Sequence, residues 1–319
     1  MSRILTEPEK AMFQQVVLPV IAVGTDGSFR PVGTCWVFAV AGRDAFAFSA
    51  AHVFEEIVRS EGRHDRSVAS MPDIFRPIKP QAVPLAMTRM KAIYRRKIDE
   101  MLMLDILTAD RDGLSDVAVC HLTFQPDAPA DYIFERKMAI HAGPVPPGTA
   151  VAAIGYAGKE MTRCHVDHEN ETAWAEHHQK LTFEHGQCVS YYQQRGPRGP
   201  EGPSFEINVG TQHGMSGGPI YHKGYGDEIV GCGVISRGTA FGDGAETTMA
   251  SALWPAYSFN IAGLRGEAGE QLSLVDLARL GYIDDKSDGP TRFKMVRAPS
   301  EEQGGVITWI DNGRRLQMG

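Results

Sequence analysis

The chain has 319 residues, 43% of them hydrophobic and 22% charged, the balance of a globular protein with room for more than one core. Its formal net charge of −7 removes any global electrostatic case for nucleic acid or an acidic membrane as partner. No run stays apolar for the ~20 residues a membrane helix requires, and the opening MSRILTEPEKAM lacks the apolar core of a secretory signal, so neither is expected.

In chain order, residues 1–13 read as a short polar leader with room for one helical turn. Residues 16–23, 33–40 and 45–49 are rich in β-branched and aromatic side chains and are separated by turn signals at Gly24-Thr25-Asp26-Gly27 and Arg43-Asp44, which predicts a three-stranded meander. His52 follows at once, at the start of a short helix over 53–59. Residues 60–84, with Pro72, Pro77, Pro80 and Pro84, read as a loop insertion. The basic stretch 90–97, with Lys91, Arg95, Arg96 and Lys97, is either a solvated strand or helix face or a docking patch for an acidic partner or substrate. Residues 101–107 are apolar apart from Asp105, and a further apolar strand opens at Asp116-Val117-Ala118-Val119.

A connection over 123–138 leads to the turn Pro144-Val145-Pro146-Pro147-Gly148 and a strand over 151–156. The segment 164–188 gathers His165, His168, His177, His178 and His185 with Cys164 and Cys188. Imidazole and thiolate clusters bind zinc, but no pair here has a finger-like spacing, so a polar hairpin and a metal- or pH-sensing segment both stay open. Residues 193–203, QQRGPRGPEGP, cannot build a regular element and are expected as an exposed loop that includes Arg195 and Arg198. Strands are expected over 205–209, 229–236 and 247–254, then a short amphipathic helix over 272–280 stopped by Gly281, and a small hairpin of 295–297 with 306–310. The five cysteines, Cys35, Cys120, Cys164, Cys188 and Cys232, are odd in number and irregular in spacing, which suits free thiols in a reducing, cytoplasmic setting better than a disulfide frame.

Three stretches carry chemistry. Gly214-Met215-Ser216-Gly217-Gly218-Pro219 sets a serine between glycines at a tight turn before an apolar strand, where two amide N–H groups can converge beside the hydroxyl. Ser49-Ala50-Ala51-His52-Val53 supplies a base. Asp116 supplies an acid, favoured over Asp105 and Asp110 because an apolar strand follows it immediately. Taken in the order His52, Asp116, Ser216, these residues match the order of a chymotrypsin-type triad. From about residue 16 to 259 the sequence therefore resembles the trypsin/chymotrypsin-like serine peptidases, most nearly their bacterial, disulfide-free branch.

That resemblance implies an all-β fold of two six-stranded antiparallel β-barrels of chymotrypsin type with a small C-terminal helix/hairpin extension. The expected domains are 14–135 with His52 and Asp116, 136–262 with Ser216, and an extension over 263–319. It implies Ser216 as nucleophile, His52 as general base, Asp116 as orienting carboxylate, and the amides of Gly214 and Ser216 as oxyanion hole, with no cofactor and no metal in the chemistry. Substrate contacts are expected from Gly210, Thr211, His213, Ser236, Arg237 and Gly238. Gly210 stands where a trypsin-like acid would sit, which leaves an apolar or small side chain before the scissile bond. Arg237 either favours an acidic residue near the cut or faces solvent. Secreted members often pair a cysteine following the histidine with one on the preceding strand; Val53 follows His52 here, so Cys35 lacks that partner. They also place an aspartate before the serine to receive a newly cut amino terminus, whereas this chain has Met215. The implied activity is that of a serine endopeptidase on protein or peptide substrates, regulated or narrowly specific inside the cell, with room for a regulatory protein partner. A non-catalytic binding protein of the same fold and a metal- or pH-sensing protein built on 164–188 are the competing readings.

Overall fold

The computed structural model describes residues 6–23, 29–55, 90–97, 100–111, 115–158, 161–167, 172–177, 180–194, 196, 199–200, 202–223, 228–240, 246–265, 271–287, 292–296, 306–311 and 314–318. The loop insertion expected over 60–84, the distal part of the helix expected over 53–59, and Arg195 and Arg198 lie outside these residues.

The polar leader is instead a ten-residue helix, α1 (Glu7–Val16). A capping box starts it: Thr6 Oγ1 accepts from Glu9 N at 3.4 Å, and the Glu9 carboxylate accepts from Thr6 N at 2.8 Å, with Pro8 in the first turn. Phe13, fully buried, fastens the helix by lying 5.5 Å from the Phe183 ring and 5.2 Å from that of Tyr221.

Six strands follow: β1 (Val17–Val23), β2 (Phe29–Ala41), β3 (Asp44–Ser49), β4 (Met90–Lys97), β5 (Glu100–Arg111) and β6 (Ala118–Phe124). They close a barrel in the order β1-β2-β3-β6-β5-β4, with every pairing antiparallel and β4 returning to β1. Its interior is aromatic, with Phe38 stacked 4.1 Å from Phe48 and Trp36 5.1 Å from the same ring. The basic stretch is strand β4, whose Met90, Ala92 and Tyr94 turn inward. Of its cations, Lys91 pairs with Asp105 at 2.5 Å and Arg96 with Glu100 at 3.1 Å.

The next strands are β7 (Ala139–Ile140), β8 (Ala150–Ala157), β9 (Met161–Asp167), β10 (Thr172–His177), β11 (Lys180–Tyr192), β12 (Ser204–Ile207), β13 (Pro219–Lys223), β14 (Ile229–Ala240) and β15 (Glu246–Ala252). The order β13-β8-β11-β12-β15-β14, closed by the pairing of β13 with β14, makes a second six-stranded antiparallel barrel. Strand β7 adds to its rim, parallel to β14. The fold is thus all-β and of chymotrypsin type, as the sequence implied.

The histidine-rich segment resolves into an antiparallel β9–β10 hairpin followed by barrel strand β11. The side chains of Cys164, His165, His168, His177 and His178 lie outside the described set; His185 is exposed and Cys188 buried. Among the described residues no group of three or more His, Cys, Asp and Glu side chains could hold a metal. The described residues of the glycine- and proline-rich segment form no helix or strand, but Gly196, Gly202 and Pro203 among them are buried, against the expectation of an exposed loop. Pro203 O accepts a hydrogen bond from Ala252 N at 3.0 Å, which draws the segment onto the barrel.

Beyond β15 a 3-10 turn over Trp254–Ser258 leads to β16 (Asn260–Arg265), β17 (Gln271–Ser273) and α2 (Leu274–Arg279). A second capping box, Ser273 with Asp276, starts this helix two residues later than its apolar periodicity suggests. The expected C-terminal hairpin has a third strand: β18 (Phe293–Val296), β19 (Val306–Asp311) and β20 (Arg314–Met318) form one antiparallel sheet. The Asn312-Gly313 pair between the last two is a strong hairpin signal.

Candidate active site

His52 sits one residue into a helical turn, residues 51–55, that leaves the end of β3. Asp116 lies in a bend two residues ahead of β6, not at its start. Because β3 and β6 are paired from Ser49↔Ala118 outward, these two chain ends emerge side by side. The Asp116 carboxylate spends both oxygens on the same residue: Oδ1 accepts His52 N at 2.9 Å and Oδ2 meets His52 Nδ1 at 2.8 Å. Ala51 N adds a hydrogen bond to the Asp116 carbonyl at 3.3 Å. A carboxylate can only accept from Nδ1, so Nδ1 carries the proton and Nε2 keeps a lone pair. An ion pair between Glu55 and Arg111, nearly buried, ties the same helical turn to β5. The rival acids are placed elsewhere: Asp105 takes Lys91, and Asp110 is buried within β5.

Burial lowers the His52 pKa, but the Asp116 charge and hydrogen bond raise it more, and Glu55 adds to the rise; Arg237 opposes it. The net position is above the ordinary 6.5. The imidazole remains 40% exposed, against 15% for Asp116.

Ser216 lies in the turn that enters β13. Gly214 (φ 94°) and Gly217 (φ 87°) occupy the left-handed region that glycine alone enters cheaply. A side chain at Gly217 would also run into Thr34 O, Ser49 Oγ and Ala50 N. The turn's amides divide into two sets. Those of Met215, Gly217 and Gly218 donate to Gln212 O (3.1 Å), Ile235 O (2.8 Å) and Met215 O (2.9 Å). Those of Gly214 and Ser216 donate to no backbone carbonyl among the described residues. Met215 anchors the turn from below, fully buried beside Val209, Ile220 and Ile235.

Thr34, a residue with no signal in the sequence, joins the two barrels at this point. Its N–H donates to Ser216 O at 2.7 Å, its hydroxyl donates to Gly214 O at 2.8 Å and accepts from Tyr156 N at 3.1 Å, and its carbonyl accepts from Ser49 Oγ at 2.7 Å. Gly33 beside it is pressed between the His52 turn and the serine: a Cβ there would lie 2.6 Å from Val53 Cγ2 and 2.9 Å from Ser216 O. The structure thus gathers His52, Asp116 and Ser216 around one short piece of β2. Among the hydrogen bonds of the described residues, none joins Ser216 Oγ to His52, whose Nδ1 is held by Asp116.

The expected substrate-contact residues lie beside this turn. Gly210 is covered by the Glu246 carboxylate, and Thr211 Oγ1 meets Thr248 Oγ1 at 3.0 Å. His213 is exposed, with its carbonyl accepting from Gly158 N at 3.1 Å. Ser236 is buried, its hydroxyl 2.7 Å from that of Ser251, while Arg237 and Gly238 are exposed. Arg237 reaches solvent, yet its charge is also felt at His52. Thr34, Glu246 and Thr248 were not legible in advance, since none belongs to a motif.

No protein-family model matches the sequence, and no curated protein matches it. Among solved structures the chain is similar to the active form of the Rv3671c protease from M. tuberculosis, at 17% identity over 76% of this chain and 78% of that one, with a TM-score of 0.44. The assignment of the fold rests on the strand order and closure of the two barrels. No helix among the described residues is long and apolar enough to cross a membrane.

Proposed function

We propose that the chain is a serine endopeptidase of the trypsin/chymotrypsin-like family that cleaves protein or peptide substrates through an acyl-enzyme. The observation that carries this reading is the convergence, around Gly33 and Thr34, of an Asp116-oriented imidazole and a serine turn with two uncommitted amides. Ser216 Oγ attacks the scissile carbonyl and His52 Nε2 takes its proton. Asp116 holds the tautomer and stabilises the imidazolium. The N–H groups of Gly214 and Ser216 receive the oxyanion. His52 then returns the proton to the leaving amine, and a water repeats the sequence to free the enzyme. Hydrogen bonds of this kind are often long in the uncomplexed enzyme and tighten with substrate, so the missing Ser216–His52 bond is compatible with the role.

Met215 bears on regulation. Its side chain fills the core position under the turn, so the turn has an apolar anchor and needs no ion pair with a new amino terminus. A cytoplasmic location is supported by Cys35, Cys120, Cys188 and Cys232, all buried free thiols, with burial pushing the Cys188 pKa up to about 11. Inside a cell such an enzyme requires narrow specificity or control by a partner protein.

The direct test is labelling of the intact chain with a fluorophosphonate, mapped by mass spectrometry. Stoichiometric modification of Ser216, abolished in Ser216→Ala, is the expected result. Modification of another serine, or none at all, overturns the assignment.

A further inference from the structure

The segment running into the serine turn, residues 209–213, meets strand β14 where Thr211 approaches Gly238, and on the serine peptidase reading a substrate side chain bound beside Ser216 enters between them. This gap is almost closed. A Cβ built on Gly238 would lie only 2.8 Å from Thr211 Oγ1 and 3.0 Å from Thr211 O. A flat or branched side chain makes contacts of about 3.5–4.0 Å on each face, so the two walls would have to stand about 7 Å apart to hold one. Thr248 on β15 fixes the narrow spacing from behind: its hydroxyl donates to Val209 O at 2.7 Å and shares a hydrogen bond with Thr211 Oγ1 at 3.0 Å. The floor is filled as well, because the Glu246 carboxylate occupies the space a side chain at Gly210 would take.

We infer that Thr211 and Thr248 act as a stop that restricts the residue before the scissile bond to glycine, alanine or serine. The inference rests on the serine peptidase reading above. It also bears on Glu246, an exposed carboxylate whose charge would attract a lysine or arginine side chain: on this inference such a side chain is too large to pass Thr211 and Gly238, and size rather than charge selects the substrate.

The test exposes the full chain to a library of peptides with all residues represented at each position, and reads the new termini by mass spectrometry against Ser216→Ala. Fluorophosphonate labelling runs in parallel. Cleavage after glycine, alanine and serine, with kcat/KM about tenfold or more below theirs for leucine, phenylalanine, lysine and arginine, is expected from the size discrimination a narrow slot provides. Thr248→Ala should extend the accepted set to valine and leucine. An enzyme labelled at Ser216 that cuts after lysine or arginine overturns the inference and makes Glu246 the selector. One that cuts after aromatic residues, or is labelled yet cuts nothing, overturns it too. Loss of both labelling and cleavage removes the peptidase reading itself.

Discussion

His52 holds its proton more tightly than an ordinary imidazole although burial works against it. The Asp116 charge and hydrogen bond more than restore what burial takes away. A general base must be unprotonated, so activity should fall as the pH drops through this raised value. The acidic limb of kcat/KM is therefore expected above pH 6.5, the ordinary histidine value. Asp116→Asn removes the charge that raises the pKa and the acceptor that selects the tautomer. The limb should move down and kcat should fall by about 10³–10⁴-fold, with an unchanged circular dichroism spectrum. A limb that stays in place would separate Asp116 from His52. The same rise has a consequence for stability: the folded chain binds the His52 proton more tightly than the unfolded chain, so the contact stabilises below the unfolded pKa and ceases to do so as the pH climbs through the folded one. With 40% of the imidazole exposed, that contribution is small. At this scale the sequence was legible where residue type and chemistry coincide. A serine flanked by glycines, a histidine after an apolar strand and an acid before another are recognisable, whereas Thr34 and Thr248 are ordinary strand threonines whose importance exists only in the folded contacts.

Among the elements, β2 does more than close a barrel. Its Thr34 is fully buried, and its N–H, hydroxyl and carbonyl respectively engage Ser216 O, the pair Gly214 O and Tyr156 N, and Ser49 Oγ. Thr34→Val keeps the shape and both backbone bonds but takes the Thr34 hydroxyl away from the Gly214 carbonyl and the Tyr156 amide. Losing these two buried hydrogen bonds costs about 2–4 kcal/mol together. Urea denaturation should show a loss of that size, and fluorophosphonate labelling should slow because Gly214 is no longer held. A labelling rate equal to wild type would mean that the turn is set by Met215 and its glycines alone. Periodicity and turn signals reveal strands well, and most strands of both barrels fall close to where alternation places them. The failures have physical causes. Helix α1 was hidden because its start lies in the capping box Thr6–Glu9, ahead of the apolar stripe, and its inward face is read by only a few residues such as Phe13 and Val16. Strand β5 runs on to Arg111 through polar residues that pair with β6, and a pattern of apolar residues ends too early there.

For the whole molecule, the C-terminal part behaves as an addition to the barrels' framework. The core that begins at α1 and fills the first barrel continues through Trp254 and Tyr257 to Leu274, Leu277 and Ile283. Residues 282–287 then lie along β7, where Ile140 N donates to Asp284 O at 2.9 Å and Lys286 N to Ile140 O at 2.8 Å. Asp285 fixes this placement. One oxygen accepts the Tyr257 hydroxyl at 2.5 Å, and the other accepts Ser287 N at 2.8 Å and its hydroxyl at 2.5 Å, while Ser287 Oγ in turn accepts Ala142 N at 3.1 Å. Burial, reinforced by the Asp285 charge and hydrogen bond, pushes the Tyr257 hydroxyl well above the usual tyrosine range, which keeps it a proton donor to Asp285 near neutral pH. Nothing in the sequence announces this, because the partners are 28 residues apart and neither belongs to a motif. Tyr257→Phe removes a hydrogen bond to a carboxylate and should cost about 1.5–3 kcal/mol. Asp285→Ala, which also frees Ser287, should cost more. If the clamp only supports the framework, both variants will unfold at lower urea while the fluorophosphonate still labels Ser216 at the wild-type rate. A slowed rate in the fully folded Tyr257→Phe protein would instead mean that the tail's grip on β7 is transmitted through β14 to the serine turn, since Ile235 of that strand exchanges hydrogen bonds with Gly217 and Gly218.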